Sequence, residues 1–90
     1  MPKLKVFTKA DCPKCPAAKQ LSQEIQKEGK MKVEHFDVDQ AEGLAEAQFY
    51  SVMATPSLIV CKDDTDEEEI KSWRGEAPTS KEDIYSEIKG

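Results

Sequence analysis

The 90-residue sequence lacks any long apolar run, which argues against a membrane-spanning segment. No stretch approaches the roughly 20 apolar residues that a membrane-spanning helix needs. The N-terminal MPKLKVFTK alternates polar and apolar residues and shows neither an apolar core nor a small-residue cleavage site, so it does not predict a secretory signal. We therefore expect a cytoplasmic protein with no membrane partner.

Basic residues are also in short supply. The chain has 13 lysines and arginines against 18 acidic residues, a net charge of -5. Nucleic-acid binding needs a concentrated basic face, and none is visible, so we expect no nucleic-acid partner. The length and the 38% hydrophobic content are typical of one globular domain. We expect residues 1–90 to form a single domain that acts as a monomer.

Cysteines are too few for a structural disulfide framework. Cys12 and Cys15 stand three apart in TKADCPKCPAAK, and Cys61 stands alone. In a reducing compartment, an isolated Cys-x-x-Cys pair is typical of redox chemistry or metal binding. We expect Cys61, at the end of the apolar run SLIVC, to be a buried core thiol.

Hydrophobic periodicity predicts seven elements in the order βαβαββα. The strands are predicted at 3–8, 33–38, 57–61 and 70–73, and the helices from the cysteine motif to Gly29 with Pro13 in the first turn, over 40–50, and from an N-cap at Ser80. The acidic run at 63–69 is predicted as a solvated turn. Strands joined through a helix pair in parallel and the last two strands form a hairpin, which predicts an α/β fold with a four-stranded mixed sheet flanked by helices.

This topology places Cys12 at the carboxyl end of the first strand and at the start of the following helix, an edge where open α/β sheets bind ligands. A free cysteine has a pKa near ~8.5, and the helix N-terminus favours the thiolate. Lys9 and Lys14 act in the same direction, whereas Asp11 opposes them. The sequence therefore predicts a reactive thiol at Cys12 with Cys15 as its partner.

Metal binding is the rival interpretation of the same residues. Cys12, Cys15, His35 and Cys61 equal the number of ligands in a zinc site. Their spacing does not resemble a zinc site, and His35 is predicted as an ordinary strand or surface histidine. We expect no metal and no cofactor besides a redox-active Cys12–Cys15 disulfide. A metal-binding or metal-delivery module that uses the CxxC pair stays an alternative, as does a non-catalytic interaction protein.

The chain resembles the thioredoxin and glutaredoxin superfamily over essentially its whole length. CPKC resembles the active-site CxxC after the first strand, and YSVMATPSLIV resembles the segment in which a cis-proline opens the next strand. The resemblance implies that Cys12 is the attacking nucleophile of a thiol-disulfide oxidoreductase and that Cys15 resolves the mixed disulfide. It also implies that Pro56 is a cis-proline packed against the pair, and that Thr55 offers its backbone to an extended substrate segment.

The resemblance further implies a substrate groove and two kinds of partner. Arg74 and Gly75, in a segment that resembles the second groove wall, are expected to bind substrate together with Lys9 and Lys14. The alternative for this segment is a core Trp73 followed by a turn. Disulfide-containing protein substrates and an upstream disulfide reductase are the implied partners.

The sequence departs from both branches of that superfamily. Thioredoxins usually carry a tryptophan before the first cysteine and a buried aspartate six residues before it, and here these positions are Asp11 and Val6. Lys9 is a glutaredoxin trait, but Lys14 replaces the aromatic residue of the glutaredoxin CPYC. The Gly-Gly and acidic pair that bind glutathione have no counterpart in WRGEAPTSKED, which makes glutathione a doubtful partner. We expect a glutaredoxin-sized protein with thioredoxin-like substrates.

Overall fold

Seven elements follow one another in the predicted order. A computed structural model describes residues 1–63, 68–78 and 80–88, so positions 64–67 of the predicted acidic turn lie outside the described residues. The elements are β1 (Lys3–Thr8), α1 (Cys15–Glu28), β2 (Lys32–Asp37), α2 (Ala41–Phe49), β3 (Ser57–Cys61), β4 (Glu69–Arg74) and α3 (Lys81–Ile88). Across the described ranges, no helix is both long enough and apolar enough to cross a bilayer.

Helix α1 begins later than its proline pattern predicts. Its first residue is Cys15, and Pro16 rather than Pro13 occupies the first turn. Backbone N–H groups in that turn have no partner within the helix, so the N–H that Pro16 lacks is not missed. The helix ends at Gly29, which adopts a left-handed φ of 71° and donates its N–H to the carbonyls of Ile25 and Gln26. The placement of Pro13 in the helix was therefore wrong, and Pro13 lies in the turn before it.

The four strands form one mixed sheet in the order β2-β1-β3-β4. Strands β1 and β2 are parallel and β3 and β4 are antiparallel, as predicted. Strand β3 pairs antiparallel with β1, so the expectation that strands joined through a helix are parallel was wrong for β2 and β3, which α2 connects. One row of paired residues crosses the whole sheet and contains Phe36, Phe7, Ser57 and Arg74. The carboxyl ends of β1, β2 and β4 therefore meet the amino end of β3 at one edge.

Helices cover both faces of the sheet, and each face has its own core. Alternate residues of a strand point to opposite faces, so Leu4 and Val6 pack beneath α1 and α3 while Phe7 packs beneath α2. Ile84 of α3 belongs to the first core. Cys61 is fully buried in the second core, as the apolar strand predicts. Burial of these side chains holds the sheet between α1 and α3 on one face and α2 on the other.

A charged side chain is also buried on the face of the sheet that α2 covers. Lys5 is 1% exposed, and its Nζ atom lies 2.8 Å from Oε2 of Glu46 in α2. The same ammonium group lies 5.0 Å from the ring centroid of Tyr50 and 5.5 Å from that of Phe36. A buried charge needs such partners, because removing it from water without them is costly. Lys5 thereby joins α2 to the sheet.

Candidate active site

The two motif cysteines form a disulfide at the start of α1. Their Cα atoms lie 5.3 Å apart, and the N–H of Cys15 donates to the carbonyl oxygen of Cys12 at 3.3 Å. Cys12 lies in the turn before the helix and is 8% exposed, whereas Cys15 opens the helix and is 2% exposed. A reagent that approaches from solvent therefore meets Cys12 first.

Two clefts flank the motif, because the segments that leave the sheet edge surround it. The first cleft, of about 150 Å³, joins the motif to the segment before β3 and is lined by Lys9, Val38, Leu44, Ala47, Val52, Met53, Ala54 and Thr55. The second, of about 610 Å³, joins it to the segment after β4 and is lined by Pro13, Lys14, Ala17, Leu21, Glu76, Ala77 and Pro78. The two clefts thus begin at residues close to Cys12 in the sequence, at Lys9 for the first and at Pro13 and Lys14 for the second.

The predicted cationic residues lie one on each side of the motif. Lys9 and Lys14 are both exposed, and each lines a different cleft. Asp11 is exposed between them. The N–H of Ala10 donates to Oδ2 of Asp39 at 3.3 Å, which ties the loop before Cys12 to the turn after β2. Exposed charges of both signs therefore lie close to Cys12 in the sequence, and the hydrogen bond of Ala10 anchors the loop before it.

The segment before β3 brings Thr55 and Pro56 to the same edge. The peptide bond between them is cis, Pro56 is fully buried, and Thr55 is half-buried on the wall of the first cleft. Ser57, the next residue, has no exposed surface. The structure therefore leaves Thr55, rather than its two successors, accessible from the first cleft.

Arg74 is engaged by the protein itself. Its two terminal nitrogens donate to the carboxylate of Glu69 at 2.8 and 3.1 Å, and Nη2 also donates to the carbonyl oxygen of Tyr50 at 2.8 Å. The hydrogen bonds between Arg74 and Glu69 raise the pKa of Arg74 and lower that of Glu69. Gly75 adopts a φ of 82°, and a Cβ at this position would lie 3.4 Å from Cβ of Ala54. The segment after β4 therefore abuts the segment before β3.

Trp73 belongs with the core rather than with a groove. It is half-buried and packs against the core beneath α1 and α3. Its ring also lies 5.8 Å from Nζ of Lys71. The alternative interpretation of the WRG segment, a core tryptophan followed by a glycine turn, is thus the one that the contacts of Trp73 favour.

The four residues counted as zinc ligands are not assembled into one site. His35 lies on the α1 side of the sheet, where its Nε2 is 2.7 Å from Oγ of Ser22. Cys61 lies on the α2 side, with its sulfur 3.8 Å from the hydroxyl of Tyr50. Burial, and secondarily the charge of Lys19, lower the pKa of His35. Within residues 1–63, 68–78 and 80–88, no group of three or more His, Cys, Asp or Glu side chains is arranged to hold a metal ion.

Sequence reasoning missed Ser57. Its hydroxyl donates to the carbonyl oxygen of Ala54 at 2.6 Å and accepts from the N–H of Gly75 at 3.1 Å, so it connects the segments on the two sides of β3. The available signal was a hydroxyl residue that directly follows Pro56 and opens the otherwise apolar run SLIVC. The pairing with Gly75 could not be read from that signal, because it depends on the register between β3 and β4.

A mixed four-stranded sheet with a cysteine pair at the start of its first helix defines a thiol-disulfide oxidoreductase of the thioredoxin-like class. The sequence model of the thioredoxin domain matches residues 2–83, and the chain belongs to the thioredoxin family. At the position six residues before Cys12, this member carries Val6, which is fully buried in the core.

Known relatives support both the family and the fold. A thioredoxin from Methanocaldococcus jannaschii is 34% identical over 58 residues, which make up 64% of this chain and 68% of that protein. Thioredoxin 1 from Thermosipho africanus has a TM-score of 0.74 and 25% identity, with 97% of this chain and 90% of that chain covered. The reduced thioredoxin pre-protein from Schistosoma mansoni has a TM-score of 0.78 and 22% identity, with 97% and 78% covered. The predicted thioredoxin-like α/β fold is thus confirmed.

Proposed function

We propose that the chain reduces disulfide bonds in proteins through the Cys12–Cys15 dithiol. The observation that carries this proposal is the paired cysteines at the start of α1, with Cys12 the more exposed of the two. A thiolate is the species that attacks a disulfide, and the helix N-terminus with Lys9 and Lys14 favours its formation, while Asp11 opposes it. Cys12 is therefore the nucleophile in this proposal.

The reaction runs in two exchange steps. The Cys12 thiolate attacks one sulfur of the substrate disulfide, and the other substrate sulfur leaves as a thiolate that takes up a proton. The thiol of Cys15 then loses its proton, and its sulfur attacks the sulfur of Cys12 in the mixed disulfide. The second substrate thiol is released, and two electrons have passed to the substrate. The chain is left with the Cys12–Cys15 disulfide that the structure contains.

Substrate binding in this proposal uses the two clefts beside the motif. An extended substrate segment pairs with the backbone of Thr55, with Lys9 and Lys14 along its sides and with Gly75 next to the segment before β3. Arg74 supports the segment before β3 rather than contacting substrate, since its donors reach Glu69 and the carbonyl of Tyr50. The family supports disulfide proteins as substrates and a reductase as the upstream donor. The cytoplasmic location, the monomeric state and the absence of another cofactor stay predictions.

The test is turnover of insulin disulfides with dithiothreitol as the electron donor. We expect Cys12→Ser to abolish reduction. We expect prereduced Cys15→Ser, mixed with insulin after dithiothreitol has been removed, to accumulate a mixed disulfide, because the resolving thiol is then absent. Cys61→Ala is the matched control and keeps the activity, since Cys61 lies in the core beneath α2. Reduction at the wild-type rate by Cys12→Ser would refute the proposal. Stoichiometric metal after anaerobic purification, without a reversible two-hydrogen mass change, would favour the metal-binding module instead.

A further inference from the structure

The segment that carries Thr55 is anchored at both ends and exposed in its middle. At its start, the N–H of Val52 donates to the carbonyl of Ala47 at 2.7 Å, which continues the end of α2. At its other end, Pro56 is fully buried. Between these points Met53 is 93% exposed. An exposed stretch of this kind keeps a fixed position only if its ends are held, so the groups that hold the ends decide where Thr55 lies.

Ser57 holds the far end of this segment to the segment after β4. A serine hydroxyl has one hydrogen to donate and lone pairs with which to accept. Here the hydrogen is directed to the carbonyl of Ala54, and the oxygen accepts from the N–H of Gly75. Because Ser57 is fully buried, water does not compete with these two bonds at the hydroxyl. One side chain therefore links the segment before β3 to the segment after β4.

Arg74 holds the near end to the same strand. Its Nη2 atom donates to the carbonyl of Tyr50, where α2 ends, and Glu69, the first residue of β4, orients the guanidinium by accepting hydrogen bonds from it. Arg74 and Ser57 are paired residues at the last position of β4 and the first position of β3. Both attachments therefore start from one pair of neighbouring residues in the sheet, Ser57 and Arg74.

We propose that Ser57 is a positioning residue that, by tying the segment before β3 to Gly75, fixes the backbone of Thr55 for an extended protein substrate, with Arg74 as a second support. This inference rests on the proposed function, because it assigns a role in binding the substrate of that reaction. A substrate segment that pairs with the backbone of Thr55 makes its contacts only if that backbone is held in the correct position. A small disulfide that reaches Cys12 alone has no such requirement.

The test compares a protein disulfide with a small one. Steady-state kinetics are measured with insulin and with 5,5′-dithiobis(2-nitrobenzoate) for the wild type, Ser57→Ala, Ser57→Thr and Ser86→Ala. Ser86 is a matched control, because it is an exposed serine of α3 whose hydroxyl donates to the carbonyl of Asp83. Urea unfolding and amide hydrogen exchange at Gly75 are recorded for every variant.

We expect Ser57→Ala to raise KM for insulin about tenfold, the factor carried by one hydrogen bond of ordinary strength. Its kcat, and its rate with the small disulfide, should stay within about twofold on the same reasoning. Exchange at Gly75 should accelerate in this variant and stay slow in the wild type, Ser57→Thr and Ser86→Ala. Ser57→Thr, which keeps the hydroxyl, should restore KM.

Other outcomes separate this inference from the proposed function. An unchanged KM for insulin in Ser57→Ala, or an equal loss with both substrates, overturns the positioning role while the reductase activity stands. If Ser57→Ala does not fold, the wild type and Ser57→Thr decide, and fast exchange at Gly75 in the wild type overturns the inference. If the wild type reduces neither substrate, the proposed function fails, and the substrate role of Ser57 fails with it whatever Gly75 shows.

Discussion

Replacing Gly43 with alanine tests how closely helix α2 approaches the sheet. A Cβ at this position would lie 2.0 Å from the carbonyl oxygen of Asp37 and 2.6 Å from its carbonyl carbon. Asp37 ends β2, and its carbonyl accepts the N–H of Gln40 at 2.9 Å, so the oxygen is held in place. The added methyl group therefore meets fixed backbone rather than a side chain that can turn away.

The sign of the effect follows from two opposing terms. In an open helix, alanine is more favourable than glycine by ~0.5–1 kcal/mol. At Gly43 the contact starts at 2.0 Å, so the helix must instead move by about 1.5–2 Å to reach ordinary contact distances of ~3.5–4.0 Å. Overpacking of this kind typically costs ~1–3 kcal/mol, and more when the neighbour is backbone. We expect a net loss of about 2 kcal/mol, which lowers Tm by ~8–16 °C in a domain of this size.

The measurement is urea unfolding of the oxidised protein, followed by far-ultraviolet circular dichroism. Ala45→Gly is the matched control, because Ala45 is an exposed residue of the same helix and should lose only ~0.5–1 kcal/mol through conformational entropy. A Gly43→Ala variant with the wild-type urea midpoint, or a higher one, would refute the close contact with Asp37. A gain for Gly43→Ala as large as the loss for Ala45→Gly would show that helix propensity, not contact, governs this position.

Two further predictions concern charged and titratable groups on opposite sides of the sheet. Burial and the hydrogen bond donated to Glu28 raise the pKa of Tyr85 to about 12. Because the unfolded-state pKa is about 10, the folded state binds this proton more tightly, and stability is lost as the pH rises from about 10 towards 12. Glu28→Gln should lower the pKa of Tyr85 in an absorbance titration, and an unchanged titration would contradict the role of Glu28. On the other face, Lys5→Ala should cost about 2–4 kcal/mol in urea unfolding because it opens a cavity beneath α2, whereas Lys5→Met should cost less than about 1.5 kcal/mol. Half-exposed Glu46 can regain water in either variant, so equal losses would mean that charge, not packing, explains the burial of Lys5.

Much of the fold was predictable because its signals are local. Period-two and period-3.6 patterns located all seven elements, and topology rules gave the β1–β2 and β3–β4 pairs. They did not give the antiparallel pairing of β3 with β1, because β3 follows a helix and the rule predicts a parallel strand there. The start of α1 was misplaced because Pro13 and Pro16 are both compatible with a helix start by φ alone. The burial of Lys5 had no sequence signal, since a lysine that alternates with apolar residues is read as the solvent face of a strand.

Some features of the candidate site depend on residues close together in the sequence, and others depend on contacts between distant residues. The sequence alone determined the cysteine pair, because a separation of three residues around a turn brings two thiols together whatever the rest of the chain does. It could also point to Thr55 and Pro56, but only through a resemblance to known proteins. Tertiary structure decided which groups surround them, since the bonds of Ser57 to Gly75 and of Arg74 to Tyr50 join residues 18 and 24 positions apart. Such contacts depend on strand register and helix placement, which the whole core sets by burying its apolar side chains together.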